Sequence, residues 1–176
     1  MHIVFLNPQG NFDPKDSYLT EHPDFGGQLV YVKELAQALA TNGHKVDIVT
    51  RKIIDSDWPE FSANQDIYPG TEQNLRILRF PCGGNKFLSK EELWPHLSEF
   101  ADEILRFYGE SLPDFFTAHY ADGGYTGVEF VLGQHEEWWV VDLWQPNEQI
   151  NTWHTTMQIL EFDCNNEWTY DFIIDR

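Results

Sequence analysis

The sequence has 176 residues, enough for one hydrophobic core, and a formal net charge of −18 at pH 7. This acidic excess argues against binding to nucleic acid or to anionic membrane surfaces, although a phosphate site needs only a few local donors. No stretch is long and apolar enough to cross a membrane, and the first residues predict a strand rather than a signal peptide. Since two cysteines are too few for a disulfide framework, we expect a cytoplasmic protein.

The composition changes near residue 128. Residues 129–176 carry ten of the 29 acidic residues but a single basic one, and they hold five of the seven tryptophans. A change of this kind predicts a boundary. We therefore expect an α/β unit over residues 1–128 and an acidic, tryptophan-rich, β-rich tail over residues 129–176.

The first fifty residues predict a strand, a long loop, a helix and a second strand. Residues 2–7 form a short apolar run, and residues 8–27 are rich in Pro, Gly, Asn and Asp. From Gly27 to Thr41 apolar residues recur at helical spacing, and a strand-like run follows at 45–50. This order requires a parallel strand pair with a right-handed crossover.

The pattern continues to residue 128. Residues 75–80 alternate as a strand, Ser89 and Glu92 predict a capping box, and a helix is expected over Lys90–Tyr108. A strand over 114–120 and a short helix from Tyr125 follow. Strands that alternate with helices are typical of a doubly wound, Rossmann-like α/β fold with a parallel sheet.

The tail predicts a different architecture. Its strand-like runs cover 136–144, 151–162 and 167–175, with turns predicted at 145–148 and 164–166. We expect them to form an appended antiparallel β meander of three strands.

Three predicted loops follow the carboxyl ends of strands, which is where open α/β sheets bind their ligands. Each loop carries a glycine pair, and backbone amides with one or two lysines are what a phosphate requires. The candidate residues in these loops are Gly26, Gly27, Gln28, Lys86, Lys90, His119 and Asp122.

Plainer interpretations of the same residues stay open. The glycine pair at 26–27 also suits simple turn geometry, and the lysines also suit a solvated helix start. His119 is as consistent with a structural histidine as with a catalytic one. His135, His154 and Cys164 lack zinc-ligand spacing, so no metal is expected.

Five ordered motifs occupy residues 5–13, 22–35, 58–61, 83–95 and 119–124. Together they resemble the N-terminal domain of sucrose-phosphate synthase. Sucrose synthase and mannosylfructose-phosphate synthase share the Gly-Gly-Gln element at 26–28, but the first and third of the motifs favour sucrose-phosphate synthase.

The resemblance implies a retaining GT-B glycosyltransferase, here truncated to part of its N-terminal half. It implies that Gly26, Gly27 and Gln28 line the cleft and that Lys90 contacts the phosphate of the acceptor, fructose 6-phosphate. His119 and Asp122 would lie in the cleft-facing loop. UDP-glucose would be a substrate held by the second domain, and neither a cofactor nor a metal is implied.

The sequence also departs from the family pattern. The family's Gly-His-Ser-Leu-Gly loop, whose histidine is central to the active site, has no counterpart after residue 128, so we assign no catalytic residue. The donor-binding domain is not represented either. We expect a transferase fragment that retains at most sugar-phosphate binding. The alternatives are a non-catalytic binding or assembly module, with the tail contacting a protein partner, and one chain of a split transferase.

Overall fold

The structure is a computed structural model. It describes residues 1–9, 12–18, 27–71, 73–119 and 122–127, together with the backbone of five strands between residues 139 and 173.

Ten strands form the two sheets of the described chain. Eight lie in one sheet in the order β10-β9-β6-β5-β1-β2-β4-β3, and β7 pairs with β8 in a separate ribbon. Their bounds are β1 His2–Asn7, β2 Lys45–Arg51, β3 Gln65–Asp66, β4 Leu75–Phe80, β5 Phe115–Ala118, β6 Trp139–Asp142, β7 Gln145–Pro146, β8 Trp153–His154, β9 Met157–Phe162 and β10 Trp168–Ile173.

The centre of the large sheet is parallel, as the sequence predicts. Strand β1 pairs in parallel with β2 on one side and with β5 on the other, and β2 pairs in parallel with β4. Short strand β3 runs antiparallel to β4 and was not predicted. The carboxyl ends of β1, β2, β4 and β5 therefore lie at one edge of the sheet, here called the carboxyl edge.

Helices cover both faces of this parallel region. Helix α1 (Gly27–Thr41) packs with Ile3 and Phe5 on one face, and α3 (Leu97–Tyr108) packs with Val4 and Leu6 on the other. Because successive residues of a strand point to opposite faces, an apolar run in β1 serves both cores. This arrangement is doubly wound, as predicted.

The predicted helix over Lys90–Tyr108 is interrupted. The structure has α2 at Lys90–Leu93, a 3₁₀ turn at Trp94–His96, and then α3. Pro95 lies in that turn, and a proline inside a helix removes a backbone donor and clashes with the preceding turn. The helix predicted from Tyr125 also begins earlier, and its described residues, 122–127, are here called α4.

The capping box at the start of α2 is confirmed. The Glu92 amide donates to Ser89 Oγ at 3.4 Å, and the Ser89 amide donates to Glu92 Oε2 at 2.9 Å. The pKa of Glu92 is lowered by these hydrogen bonds from Ser89.

The strands of the tail continue the sheet. Strands β6, β9 and β10 form the predicted antiparallel meander, and β6 pairs in parallel with β5. Two details of the prediction were wrong: residues 145–146 lie in strand β7 rather than in a turn, and the run 151–162 contains two strands rather than one. The boundary near residue 128, with units at 1–128 and 129–176, stays a prediction.

Candidate functional site

The end of β1 contacts two of the predicted loops. Gln28, in the first turn of α1, donates from Nε2 to Oδ1 of Asn7 at 3.1 Å. Gln9 donates from its Nε2 to the carbonyl oxygen of Leu88 at 3.4 Å. Because Leu88 leads directly into α2, these two hydrogen bonds place the start of α1 and the segment before Lys90 beside the end of β1.

The described part of the glycine turn is open to solvent. Gly27 is the first residue of α1 and is exposed, and a Cβ built on it would meet nothing within 4 Å. The described neighbours therefore leave space beside the first turn of α1, where backbone amides are available to an anion. Gly26 lies outside the described residues.

The loop after β5 approaches the end of β1 through a glycine. A Cβ built on Gly123 would lie 2.9 Å from the carbonyl oxygen of Leu6, which is closer than side chains tolerate. Glycine at this position lets α4 lie against β1. Asp122 begins α4 and accepts at its carbonyl from Thr126 Oγ1 at 2.8 Å.

A pair of exposed aromatic rings joins α4 to the turn after α2. The ring centroids of Trp94 and Tyr125 lie 5.5 Å apart. Trp94 is 44% exposed and Tyr125 is 38% exposed. The loops after β4 and β5 therefore meet at the carboxyl edge.

His119 is buried between two aromatic rings. Its ring stacks on Phe5 at 5.9 Å with an interplanar angle of 6°, and it meets Tyr31 edge-on at 5.7 Å. Burial lowers its pKa to about 4, so the imidazole is neutral at neutral pH. The side chain packs in the layer between β1 and α1, and a role for His119 in binding stays a prediction.

The two candidate lysines are exposed on a firmly held backbone. Lys90 is the first residue of α2, behind the capping box, and Lys86 lies four residues earlier. The carbonyl oxygen of Lys86 accepts from Arg51 Nη2 at 2.6 Å. The segment that leads to both ammonium groups is therefore anchored to the end of β2.

Arg51 was missed by sequence reasoning. It is 2% exposed and donates to the carbonyl oxygens of Cys82 at 2.8 Å and Gly84 at 3.0 Å, and more distantly to Gly83 at 3.4 Å, in addition to the bond to Lys86. Burial lowers the pKa of its guanidinium. The signal available in the sequence was a charged residue directly after the predicted strand at 45–50.

The opposite edge of the sheet holds a polar groove. Its volume is about 340 Å³, and none of the candidate residues lines it; the lining residues are Ala40, Thr41, Gly70, Thr71, Gln73 and Asn74.

Among the residues that the structure describes, no group of three or more His, Cys, Asp or Glu side chains is arranged to hold a metal ion. Within the same residues, no helix combines the length and apolar character that crossing a bilayer requires.

Comparison with known proteins identifies the fold first. A sucrose-phosphate synthase structure from Thermosynechococcus elongatus superposes on 81% of this chain and 32% of its own, with a TM-score of 0.66 and 22% sequence identity. The described sheet and its carboxyl-edge loops thus belong to the α/β class found in GT-B glycosyltransferases. No family model matches the chain.

Sequence relatives share a segment with this chain. A probable sucrose-phosphate synthase from Thermosipho melanesiensis is 63% identical over 131 residues, which are 74% of this chain and 31% of the relative. Mannosylfructose-phosphate synthase from Agrobacterium fabrum is 38% identical over 117 residues, 62% of this chain and 24% of the relative. Sucrose-phosphate synthase 4 from Arabidopsis thaliana is 35% identical over 147 residues, 70% of this chain and 14% of the relative.

The chain is therefore homologous to a segment of sucrose-phosphate synthases, as its motifs indicate. It spans between 14% and 31% of the length of these curated relatives.

Proposed function

We propose that the carboxyl edge of this chain binds a phosphorylated sugar, fructose 6-phosphate, as the acceptor-binding part of a sucrose-phosphate-synthase-like glycosyltransferase. The observation that carries the proposal is the pair of hydrogen bonds from Gln28 to Asn7 and from Gln9 to Leu88. They bring the first turn of α1 and the segment before Lys90 to the same strand end. The relatives support the ligand class, since their names describe synthases of sugar phosphates.

The chemistry of this edge suits a phosphate ester. The first turn of α1 offers backbone amides, and Lys86 and Lys90 offer ammonium groups on an anchored segment. The net charge of −18 opposes the approach of an anion, so the attraction has to come from these local donors. We therefore expect weak binding that depends strongly on one lysine.

We further propose that this segment alone does not transfer glucose. In the family to which the motifs point, the diphosphate leaving group is stabilised between two domains, and such electrostatic stabilisation supplies much of the rate. The chain spans at most 31% of the curated relatives named above. UDP-glucose would be a substrate of a complete transferase, and no cofactor enters this proposal.

Calorimetric titration of the full chain with fructose 6-phosphate tests the site. We expect Lys90→Ala to abolish measurable binding, because it removes the ammonium group assigned to the phosphate. Lys45→Ala is the matched control: Lys45 is also exposed, but it begins β2 at the opposite edge, and its loss should leave the affinity unchanged. Undiminished binding by Lys90→Ala would refute the assigned site.

A further inference from the structure

Asn7 has a buried amide of which only one half is satisfied. It is the last residue of β1 and is 1% exposed. Its Oδ1 accepts from Gln28 Nε2, whereas its Nδ2 has no hydrogen-bond partner in the described part of the chain. Buried polar groups are nearly always paired, so an unpaired donor of this kind needs an explanation.

The position of Asn7 points to a ligand. The residue lies at the carboxyl edge, beside the first turn of α1, where the space next to Gly27 is open. Its neighbour Gln28 donates from Nε2 to Asn7 Oδ1, so Gln28 Oε1 is directed away from that hydrogen bond. Asn7 can therefore act in two ways, as a donor to a ligand and as a support for Gln28.

We propose that Asn7 is a ligand-binding residue of the sugar-phosphate site and that it also positions Gln28. Its Nδ2 donates a hydrogen bond to a hydroxyl oxygen of the sugar, and its Oδ1 fixes the amide of Gln28 against the end of β1. A hydroxyl is the fitting acceptor, because a neutral amide suits a neutral oxygen while the exposed lysines suit the phosphate. The inference rests on the proposed function and deepens it.

Two variants of Asn7 separate its two roles. Asn7→Asp keeps Oδ1 for Gln28 and has nearly the same shape, but it loses the Nδ2 donor. Asn7→Leu is uncharged and loses both interactions. We expect Asn7→Asp to weaken the binding of fructose 6-phosphate about tenfold, and Asn7→Leu to weaken it further, because the loss of one hydrogen bond to a ligand is of this order.

Comparison with Gln28→Leu tests the positioning role. If Asn7 acts partly through Gln28, the double variant with Asn7→Leu loses less affinity than the two single variants predict together. Asn74→Asp is the matched control, since the amide of Asn74 donates to the carbonyl oxygen of Ala40 at the opposite edge. Its affinity should be unchanged. Urea unfolding without ligand shows which variants fold. If the buried charge of Asn7→Asp prevents folding, the affinity of Asn7→Leu for fructose 6-phosphate tests the proposal instead.

The possible failures are distinguishable. Wild-type protein that does not bind fructose 6-phosphate overturns the proposed function and this inference with it. Binding that needs Lys90 but is the same in the wild type, Asn7→Asp and Asn7→Leu overturns the inference alone. A loss of affinity for inorganic phosphate equal to the loss for fructose 6-phosphate overturns the assignment to a hydroxyl.

Discussion

The buried guanidinium of Arg51 offers the most direct test of how the site is held. Arg51 ends β2, and its Nε and Nη2 atoms donate to carbonyl oxygens in the segment 82–86, which leads to α2. Three of these bonds, to Cys82, Gly84 and Lys86, measure 2.8, 3.0 and 2.6 Å, and the fourth, to Gly83, is weak at 3.4 Å. We expect Arg51→Met to leave three buried or partly buried carbonyl groups without this donor.

The expected loss of stability follows from these contacts. A hydrogen bond from a charged donor contributes about 1.5 kcal/mol, so three of them give about 4.5 kcal/mol, less what water regains at the exposed end of the segment. Arg51→Lys should recover only part of this, because one ammonium group cannot reproduce the geometry of the guanidinium.

Urea unfolding followed by circular dichroism measures the loss. Arg106→Met is the matched control, because Arg106 is an exposed arginine whose ion pair with Glu103 is at the surface, where such pairs contribute little. Equal unfolding free energies for Arg51→Met and Arg106→Met would refute the anchoring role of Arg51.

Two further predictions concern His119 and α4. Because burial lowers the pKa of His119 from 6.5 to about 4, the unfolded chain binds a proton between pH 6.5 and pH 4 that the folded chain does not. The stability from this histidine is complete above pH 6.5 and falls by about 2 kcal/mol by pH 5, and His119→Phe should remove this part of the pH dependence in urea unfolding. Equal pH dependence in the wild type and the variant would contradict the assigned pKa. Gly123→Ala should lower the unfolding free energy by about 1–3 kcal/mol, because its Cβ would lie 2.9 Å from the Leu6 carbonyl oxygen, whereas Gly27→Ala should cause no loss. Equal melting temperatures for these two variants would contradict the close approach of α4.

The sequence predicted the local elements better than the contacts between them. Strand β1 and helix α1 were predicted at their observed bounds, because a short apolar run and apolar residues at helical spacing are local signals. The helix through Pro95 was predicted too long, although the proline itself was visible. Strand β3 was missed because a strand of two residues is too short to show an alternating apolar pattern.

In the candidate site, too, local features were predicted better than contacts between distant residues. Gln28 was a candidate because the glycine pair at 26–27 precedes it in the sequence, and its role in binding stays a prediction. Arg51 and Asn7 were missed, because their roles depend on partners 31 to 35 and 21 residues away in the chain. A charged or polar residue at a strand end carries no local sign of which distant group it meets, so only the assembled sheet reveals it.

The opposite half of the sheet shows what a completed polar cluster looks like. Asp47 is fully buried, and it accepts from Arg76 Nε at 2.7 Å and Nη2 at 2.6 Å, from His2 Nε2 at 2.7 Å and from Tyr108 Oη at 2.9 Å. Burial raises the pKa of Asp47, but the hydrogen bonds from Arg76, His2 and Tyr108 and the charge of Arg76 outweigh it, so the pKa lies below its ordinary value.

Asn7 differs from Asp47 in a way that bears on function. Both side chains are buried at strands of the same sheet, yet the carboxylate has four donors, whereas Nδ2 of Asn7 has no partner among the residues that the structure describes. The cluster around Asp47 pairs its buried groups, whereas an unpaired buried donor such as Nδ2 of Asn7 lowers stability unless a ligand supplies the missing acceptor. The unpaired Nδ2 of Asn7 lies at the carboxyl edge, where parallel α/β sheets bind their ligands. This asymmetry favours a binding site at that edge on grounds that are independent of the sequence relatives.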